Sequence, residues 1–129
     1  MKIINFHIRN FKAIRSMQIK DIENALILVG QNNTGKTTVL DAIRAVGGEY
    51  KITDTDFGSE GPRIEIDVTL EFSEEDLDML HARGIVSHYR RKESWLQDFA
   101  RKLPSYQGGL LKFTFSAGKD GSVRYNDGF

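Results

Sequence analysis

The stretch that decides the fold runs from Ala25 to Val46 and reads ALILV (25–29), GQNNTGKT (30–37) and TVLDAIRAV (38–46). Ala25–Val29 is a continuous aliphatic run, which is typical of a strand buried on both faces, as in a parallel or mixed sheet. Thr37–Val46 carries its apolar residues at helical spacing, and Gly47–Gly48 ends that pattern. The sequence therefore predicts a buried strand, a glycine-containing turn and an amphipathic helix.

The turn matches the phosphate-binding pattern G-x-x-x-x-G-K-[ST] through Gly30, Gln31, Asn32, Asn33, Thr34, Gly35, Lys36 and Thr37. In such a loop the backbone N–H groups and the helix N-terminus face the phosphates. Lys36 would reach the β- and γ-phosphates, Thr37 would bind Mg²⁺ through its hydroxyl, and Thr38 could donate to the α-phosphate. The motif predicts ATP and Mg²⁺ as ligands; the alternative is a glycine turn with an exposed lysine.

The stretch Ile8–Ile43 resembles the N-terminus of ABC-type ATPases of the SMC/RecF kind, and most of all the overcoming-lysogenisation-defect (OLD) family of ATP-dependent endonucleases. The resemblance covers about the first 46 residues and rests on Asn10-Phe11-Lys12, on the G-Q-N start of the loop and on the L-D-A-I segment of the helix. Asn33 departs from the pattern, since most members carry Gly there. Asn is the residue other than Gly that most readily accepts a positive φ, so the loop can keep its shape.

This resemblance implies an α/β fold with α+β character, namely a P-loop NTPase lobe of the ABC/SMC type in which a mixed sheet is joined by antiparallel strands. It places Lys12 close to the nucleotide phosphates, whereas the alternative is an exposed lysine at a strand end. It also implies that the full-length protein holds ATP between two heads of a homodimer, has DNA as a partner and carries a separate nuclease domain.

Two family elements are missing from residues 1–129, namely a Walker B strand ending in Asp and an LSGG-like signature, and the absence of an N/T-K-x-D guanine motif weakens a GTPase interpretation. Neither Gln97 nor Gln107 has the context of a Q-loop glutamine. We therefore expect an incomplete N-terminal lobe that lacks hydrolytic activity, with Asn126–Phe129 reading as a cut through a domain. A complete small P-loop kinase or GTPase, and a non-catalytic nucleotide- or DNA-binding module, are the alternatives.

The composition of the chain excludes several kinds of site and several classes of protein. The 129 residues carry 18 basic and 18 acidic side chains, and no Cys, which excludes disulfides, thiolate metal sites and cysteine nucleophiles. No apolar run is long enough for a membrane span and no signal-peptide core is present, so we expect a cytoplasmic protein without a membrane partner. The charge is uneven, because residues 65–78 hold seven acids and no base, whereas residues 81–102 hold six Lys and Arg against two acids.

Outside the loop and its helix, the patterns predict strands and two further helices. Arg63–Phe72 alternates strictly, which predicts an antiparallel strand with Glu65, Asp67, Thr69 and Glu71 on a solvent-facing side. The remaining predicted elements are a strand at Lys2–Ile8 with its partner at Met17–Lys20, a Ser73-capped helix that buries Leu77, Met79 and Leu80, a helix at Glu93–Leu103, and a hairpin of Leu110–Phe115 and Val123–Tyr125. We expect residues 47–62 to form a loop.

Other candidate sites have simpler explanations. His7, His81 and His88 lack the spacing of metal ligands, and Asp54 and Asp56 fit loop and capping roles better than a metal pair. The run His88–Lys92 suits DNA phosphates, or else a solvated helix start or pairing with the acidic stretch 65–78. We favour the second interpretation over DNA. The stripe formed by Trp95, Phe99 and Leu103 is most simply core.

Overall fold

The computed structural model describes residues 1–20 and 33–129, and for Asn33–Lys36 it describes the backbone alone. Within these ranges the strands β1 (Lys2–Phe11), β2 (Ile14–Lys20), β3 (Arg63–Glu71), β4 (Leu110–Gly118) and β5 (Val123–Asp127) form one sheet in the order β2-β1-β3-β4-β5. Every adjacent pair among them is antiparallel. The helices are α1 (Asn33–Val46), α2 (Glu74–Ala82) and α3 (Lys92–Lys102), with a 3-10 helix at Asp54–Asp56.

One face of the sheet is apolar and packs against α1. The strand register aligns Phe6 with Val68, Ile8 with Ile66, and Ile66 in turn with Phe115, so their side chains share this face. Helix α1 contributes Val39, Ala42 and Ala45 to the same buried cluster. Full burial of a side chain the size of Phe or Ile stabilises the fold by about 1.5–3 kcal/mol, and this cluster therefore fixes α1 on the sheet.

A second cluster lies at the far end of the same face, beneath α2 and α3. Its buried members are Phe72, Leu77, Trp95 and Phe99, and the half-buried Leu70 packs against both clusters. The Trp95 indole N–H donates to the carbonyl of Ile85 at 2.9 Å, which satisfies the one polar group of this fully buried ring. The predicted core role of Trp95 and Phe99 is confirmed, and Leu103 packs against them while half-buried.

Most predicted elements are present with shifted boundaries. β1 extends three residues beyond the predicted Ile8, and α1 starts at Asn33, four residues before the predicted Thr37. The predicted boundary followed the glycine-containing turn, whereas Asn33 and Thr34 are residue types that commonly begin helices. Ser73 caps α2 as predicted, because its hydroxyl accepts from the N–H of Asp76 at 3.1 Å. The predicted strand Ala25–Val29 lies outside the described residues.

Two predictions about exposure are wrong. Met79 is 39% exposed and does not face the core, because α2 contacts the second cluster mainly through Leu77 and Leu80. On the face of β3 that was predicted to be solvated, Asp67 and Thr69 are buried. Arg9 donates twice to the Asp67 carboxylate, at 2.7 and 3.1 Å, and Thr114 donates at 2.7 Å, so neighbouring strands cover this carboxylate.

Burial alone would raise the pKa of Asp67, but the hydrogen bonds from Arg9 and Thr114 outweigh it and lower this pKa below its usual value. The same pair raises the pKa of Arg9. Asp67 is therefore a charged structural group between β1, β3 and β4.

Among the described helices, none is long and apolar enough to cross a membrane.

Candidate functional site

Helix α1 begins inside the phosphate-binding motif. The motif residues Gly30, Gln31 and Asn32 lie outside the described residues, and Asn33, Thr34, Gly35 and Lys36 form the first turn of α1. Thr37 is exposed and Thr38 is half-buried, and both make contacts within the protein. The free backbone N–H groups of a first helical turn carry partial positive charge, which suits an anion. Phosphate binding at the start of α1 and metal binding by the Thr37 hydroxyl stay predictions.

The triplet Asn10-Phe11-Lys12 lies at the end of β1, and each of its residues is held in place by contacts with the rest of the protein. Asn10 is buried with a positive φ of 61°, and its side-chain amide donates to the carbonyls of Gly61 and Arg63 at 2.9 and 2.8 Å. Its amide oxygen accepts from the N–H of Glu60 at 2.9 Å. Left-handed backbone is costly for residues other than Gly, so these hydrogen bonds hold Asn10 in that conformation. The triplet therefore anchors the loop of residues 58–63.

Lys12 connects the triplet to α1. Its backbone is also left-handed, with φ of 52°, and its N–H donates to the carbonyl of Asp56 at 2.6 Å. Its ammonium donates to Oδ2 of Asp41 on α1 at 2.6 Å, where the side chains of Lys12 and Asp41 are 28% and 11% exposed. The alternative of an exposed lysine at a strand end does not describe Lys12, since its side chain is half-buried and its ammonium is paired. Contact with a nucleotide stays a prediction.

Two aromatic rings complete the surroundings of this ammonium. Lys12 Nζ lies 5.4 Å from the ring centroid of Phe11 and 5.2 Å from that of Tyr50, within the range of a cation–π contact. The Tyr50 hydroxyl donates to Oδ1 of Asp56 at 3.0 Å. Residues from β1, from the loop after α1 and from the 3-10 helix therefore converge on one lysine.

The pairing holds Lys12 in its charged form. The hydrogen bond to Asp41 raises the pKa of Lys12 and outweighs the burial that would lower it. The pKa of Tyr50 is raised first by burial and then by its hydrogen bond to Asp56. The Lys12 ammonium and the neutral Tyr50 phenol are thus the expected states at pH 7.

Asp41 is the residue of this region that the sequence analysis did not single out. It was quoted only as part of the L-D-A-I segment, and its signal is a lone acid between the apolar Leu40 and Ala42. Arg44 also approaches Asp41, at 3.8 Å, but its side chain is 58% exposed. Lys12, from the β1–β2 connection and 29 residues away in sequence, is the better shielded partner of the two.

In the basic run His88–Lys92, one residue pairs with the acidic stretch as the favoured interpretation predicts. Lys92 pairs with Glu74 at 2.8 Å and with Asp78 at 2.6 Å, both within the acidic stretch. Arg91 lies 3.4 Å from Glu93, and Arg90 is exposed. Pairing with the acidic stretch is therefore confirmed for Lys92.

His7, His81 and Asp56 contact protein groups. His7 Nε2 lies 2.8 Å from the Ser16 hydroxyl, and His81 Nε2 lies 2.8 Å from the carbonyl of Tyr89. The Asp56 carboxylate accepts from the N–H of Thr53 at 2.9 Å, which confirms its predicted capping role. In the two described ranges, no three His, Asp or Glu side chains are grouped so that they could hold a metal ion.

A cavity of about 340 Å³ lies between the end of α1 and the β4–β5 hairpin. Apolar side chains such as Ile52, Phe115 and Tyr125 line it, and the Tyr125 hydroxyl donates to the Val46 carbonyl at 2.6 Å. It borders the C-terminal end of α1 and contains none of the predicted site residues, so we do not place the nucleotide there.

Comparison with known proteins agrees with the motif at the start of α1. A search of curated proteins found no match to this chain. The family model described as "AAA ATPase domain" matches residues 1–119, which include β1, α1 and most of the sheet. The chain therefore belongs to the AAA ATPase domain family.

Proposed function

We propose that this chain is the ATP-binding N-terminal segment of an SMC/ABC-like ATPase, with Mg·ATP bound by Gly30–Thr38 at the start of α1. The observation that carries the proposal is that α1 begins within the phosphate-binding motif and presents an exposed Thr37. Membership of the AAA ATPase domain family supports nucleotide binding as the general function.

In this proposal each part of the motif has a separate task. The first turn of α1 directs N–H groups and its dipole at the phosphates, and Lys36 adds a point charge at the β- and γ-phosphates. Thr37 binds Mg²⁺, Thr38 donates to the α-phosphate, and Lys12 supplies a second cation. The ion, when bound, neutralises charge that develops on the phosphate oxygens.

We expect binding without hydrolysis. The sequence holds neither a Walker B carboxylate to complete the Mg²⁺ coordination nor a following Glu to orient the attacking water. Phosphate release by the purified chain at a rate typical of kinases or ATPases would instead support a complete small P-loop enzyme.

The experiment is a calorimetric titration of the chain with Mg·ATP. We expect weak but measurable binding that Lys36→Ala abolishes, whereas Lys51→Ala, at an exposed loop lysine, leaves the affinity unchanged. Identical heats for the wild type and Lys36→Ala would overturn the proposal.

The parent protein is, in the same proposal, an OLD-type ATP-dependent nuclease or a DNA-repair ATPase, and its partners are DNA and a second ATPase head. The support is the resemblance of Ile8–Ile43 to that group. On this chain the exposed Arg90 and Arg91 are the candidate phosphate contacts, because Lys92 is engaged by acids.

DNA binding predicts an affinity that falls with salt and a slope that decreases by about one for each contacting Arg that is removed. The double substitution Arg90→Ala with Arg91→Ala should therefore weaken binding, whereas the exposed Lys119→Ala should not. Equal affinities for these variants would exclude this surface.

A further inference from the structure

Asp41 lies on the same side of α1 as Thr37. The two residues are four apart, which places their side chains one helical turn from each other, with about 5–6 Å between Cβ atoms. Asp41 is 8% exposed, and its Oδ2 accepts from the Lys12 ammonium at 2.6 Å. A cation from the β1–β2 connection is thus held about one turn from the predicted Mg²⁺ ligand.

The geometry of Lys12 is more restricted than sheet pairing requires. β1 ends at Phe11 and β2 starts at Ile14, so a two-residue connection containing an ordinary exposed lysine would join them. Instead the N–H of Lys12 donates to the carbonyl of Asp56, and its ammonium is fixed on Asp41. Fixing a lysine side chain costs up to about 2 kcal/mol of conformational entropy, so its order needs a cause.

We propose that Asp41 is a positioning residue for nucleotide binding: it holds the Lys12 ammonium beside α1, where a polyphosphate at the start of the helix meets a pre-oriented second cation. This inference rests on the proposed function. Lys12 is the group that touches phosphate, and Asp41 acts through it.

The sign of the effect separates this role from simple electrostatics. A carboxylate near an anion site repels the anion, so removal of Asp41 by itself should strengthen nucleotide binding. If Asp41 positions Lys12, its removal weakens binding as long as Lys12 is present. Without Lys12, only the repulsion remains, and removal of Asp41 then leaves the affinity unchanged or increases it.

The experiment measures Mg·ATP and Mg·ADP affinities by calorimetry for the wild type, Asp41→Asn, Lys12→Met and the double variant. Each single substitution should weaken ATP binding about tenfold, which is the scale of one charged hydrogen bond. The loss for ADP should be smaller, because the diphosphate carries less negative charge. In the Lys12→Met background, Asp41→Asn should cause no further loss.

Asp98→Asn is the matched control, since Asp98 is also a buried helical carboxylate with two basic partners, on α3. It should leave both affinities unchanged. Should Asp41→Asn not fold, as judged by circular dichroism, Asp41→Ser takes its place in the cycle with the same expectations.

Three outcomes would overturn the proposal: unchanged affinities in Asp41→Asn, equal losses for ATP and ADP, or losses that multiply in the double variant. Failure of the proposed function would give a different result. The wild type would then bind no nucleotide, or Lys36→Ala would bind it as well as the wild type does. The expected result is that each single substitution weakens Mg·ATP binding and that the double variant binds no more weakly than Lys12→Met alone.

Discussion

Asp41 on α1 and Asp98 on α3 are both buried helical carboxylates, and each pairs with two basic side chains. Both partners of Asp98, Arg101 and Lys102, come from its own helix at the i+3 and i+4 positions. Asp41 has one such partner in Arg44, but its closest partner is Lys12 of the β1–β2 connection. The first arrangement stabilises a helix locally, whereas the second joins a helix to the sheet beside a candidate ligand site.

The two regions also differ in what surrounds the charge. Near Asp98 the second cluster is apolar, and its aromatic rings pack at centroid distances such as 5.0 Å between Trp95 and Phe99. Near Asp41 the packing ends in polar groups, namely Asn10, Lys12 and the Asp56 cap. Left-handed backbone occurs on both sides, at Asn10 and Lys12 and at Val86 beside the second cluster, so the two regions differ in their polar groups and not in backbone strain.

The largest expected effect is on the Asp98 side, where apolar packing dominates. Trp95→Ala should lower the free energy of unfolding by about 3–5 kcal/mol, because it removes a fully buried ring from the second cluster. Urea denaturation followed by circular dichroism measures the change. Trp95→Phe is the control and should cost less; a loss under about 1 kcal/mol for Trp95→Ala would show that α3 does not depend on this ring.

On the Asp41 side, replacing a glycine should lower the free energy of unfolding by less than Trp95→Ala does. It should, however, disturb the candidate site more. A Cβ at Gly58 would lie 2.6 Å from Oδ1 of Asn10, whose side chain is fixed by three hydrogen bonds. Gly58→Ala should therefore cost about 1–3 kcal/mol, the scale of losing those bonds in a buried place. Gly47→Ala, where the nearest heavy atom is 3.6 Å away, is the control. Equal stability of the two variants would contradict the anchoring role of Asn10.

The pairing on α3 has a pH dependence of its own. Hydrogen bonds from Lys102 and then Arg101 lower the pKa of Asp98 well below its usual range. A lowered pKa contributes stability above the unfolded value of about 3.9, and this contribution is lost as the pH falls toward the folded value. Asp98→Asn should therefore lose stability less steeply than the wild type below about pH 4 in urea titrations. Parallel pH profiles would be inconsistent with the local pairing.

The smallest effect is expected at the exposed partner of Asp41. Arg44→Gln should change the free energy of unfolding by no more than about 0.5 kcal/mol, because an exposed ion pair on a helix contributes little. Thermal unfolding monitored by circular dichroism has the precision for this comparison. A loss as large as that of Lys12→Met would mean that Arg44, and not Lys12, is the main partner of Asp41.

Sequence periodicity predicted the elements whose residues have one simple environment. β3 alternates because one face packs on α1, and α3 has its apolar stripe because it covers the second cluster. The prediction was wrong for Asp67, since its burial depends on Arg9 and Thr114 from neighbouring strands. Pairing across a sheet is set by register, which a single strand does not contain.

The same limit applies to the candidate site. The motif identified Lys36 and Thr37 because their spacing is local, and the resemblance singled out Lys12. The pairing of Lys12 with Asp41 joins residues 29 apart in sequence, and it follows from how α1 lies on β1. No local pattern encodes that packing, so the partner was found only in the folded chain.

The most direct test of the account is a Mg·ATP titration of the isotopically labelled chain followed by the backbone amide shifts in NMR spectra. We predict that the largest shifts occur in Gly30–Thr38 and at Lys12 and Asp41, whereas Lys92–Lys102 of α3 stay unchanged. Saturating Mg·ATP that leaves the amides of Gly30–Thr38 unmoved, or that moves those of α3 instead, would contradict the central claim.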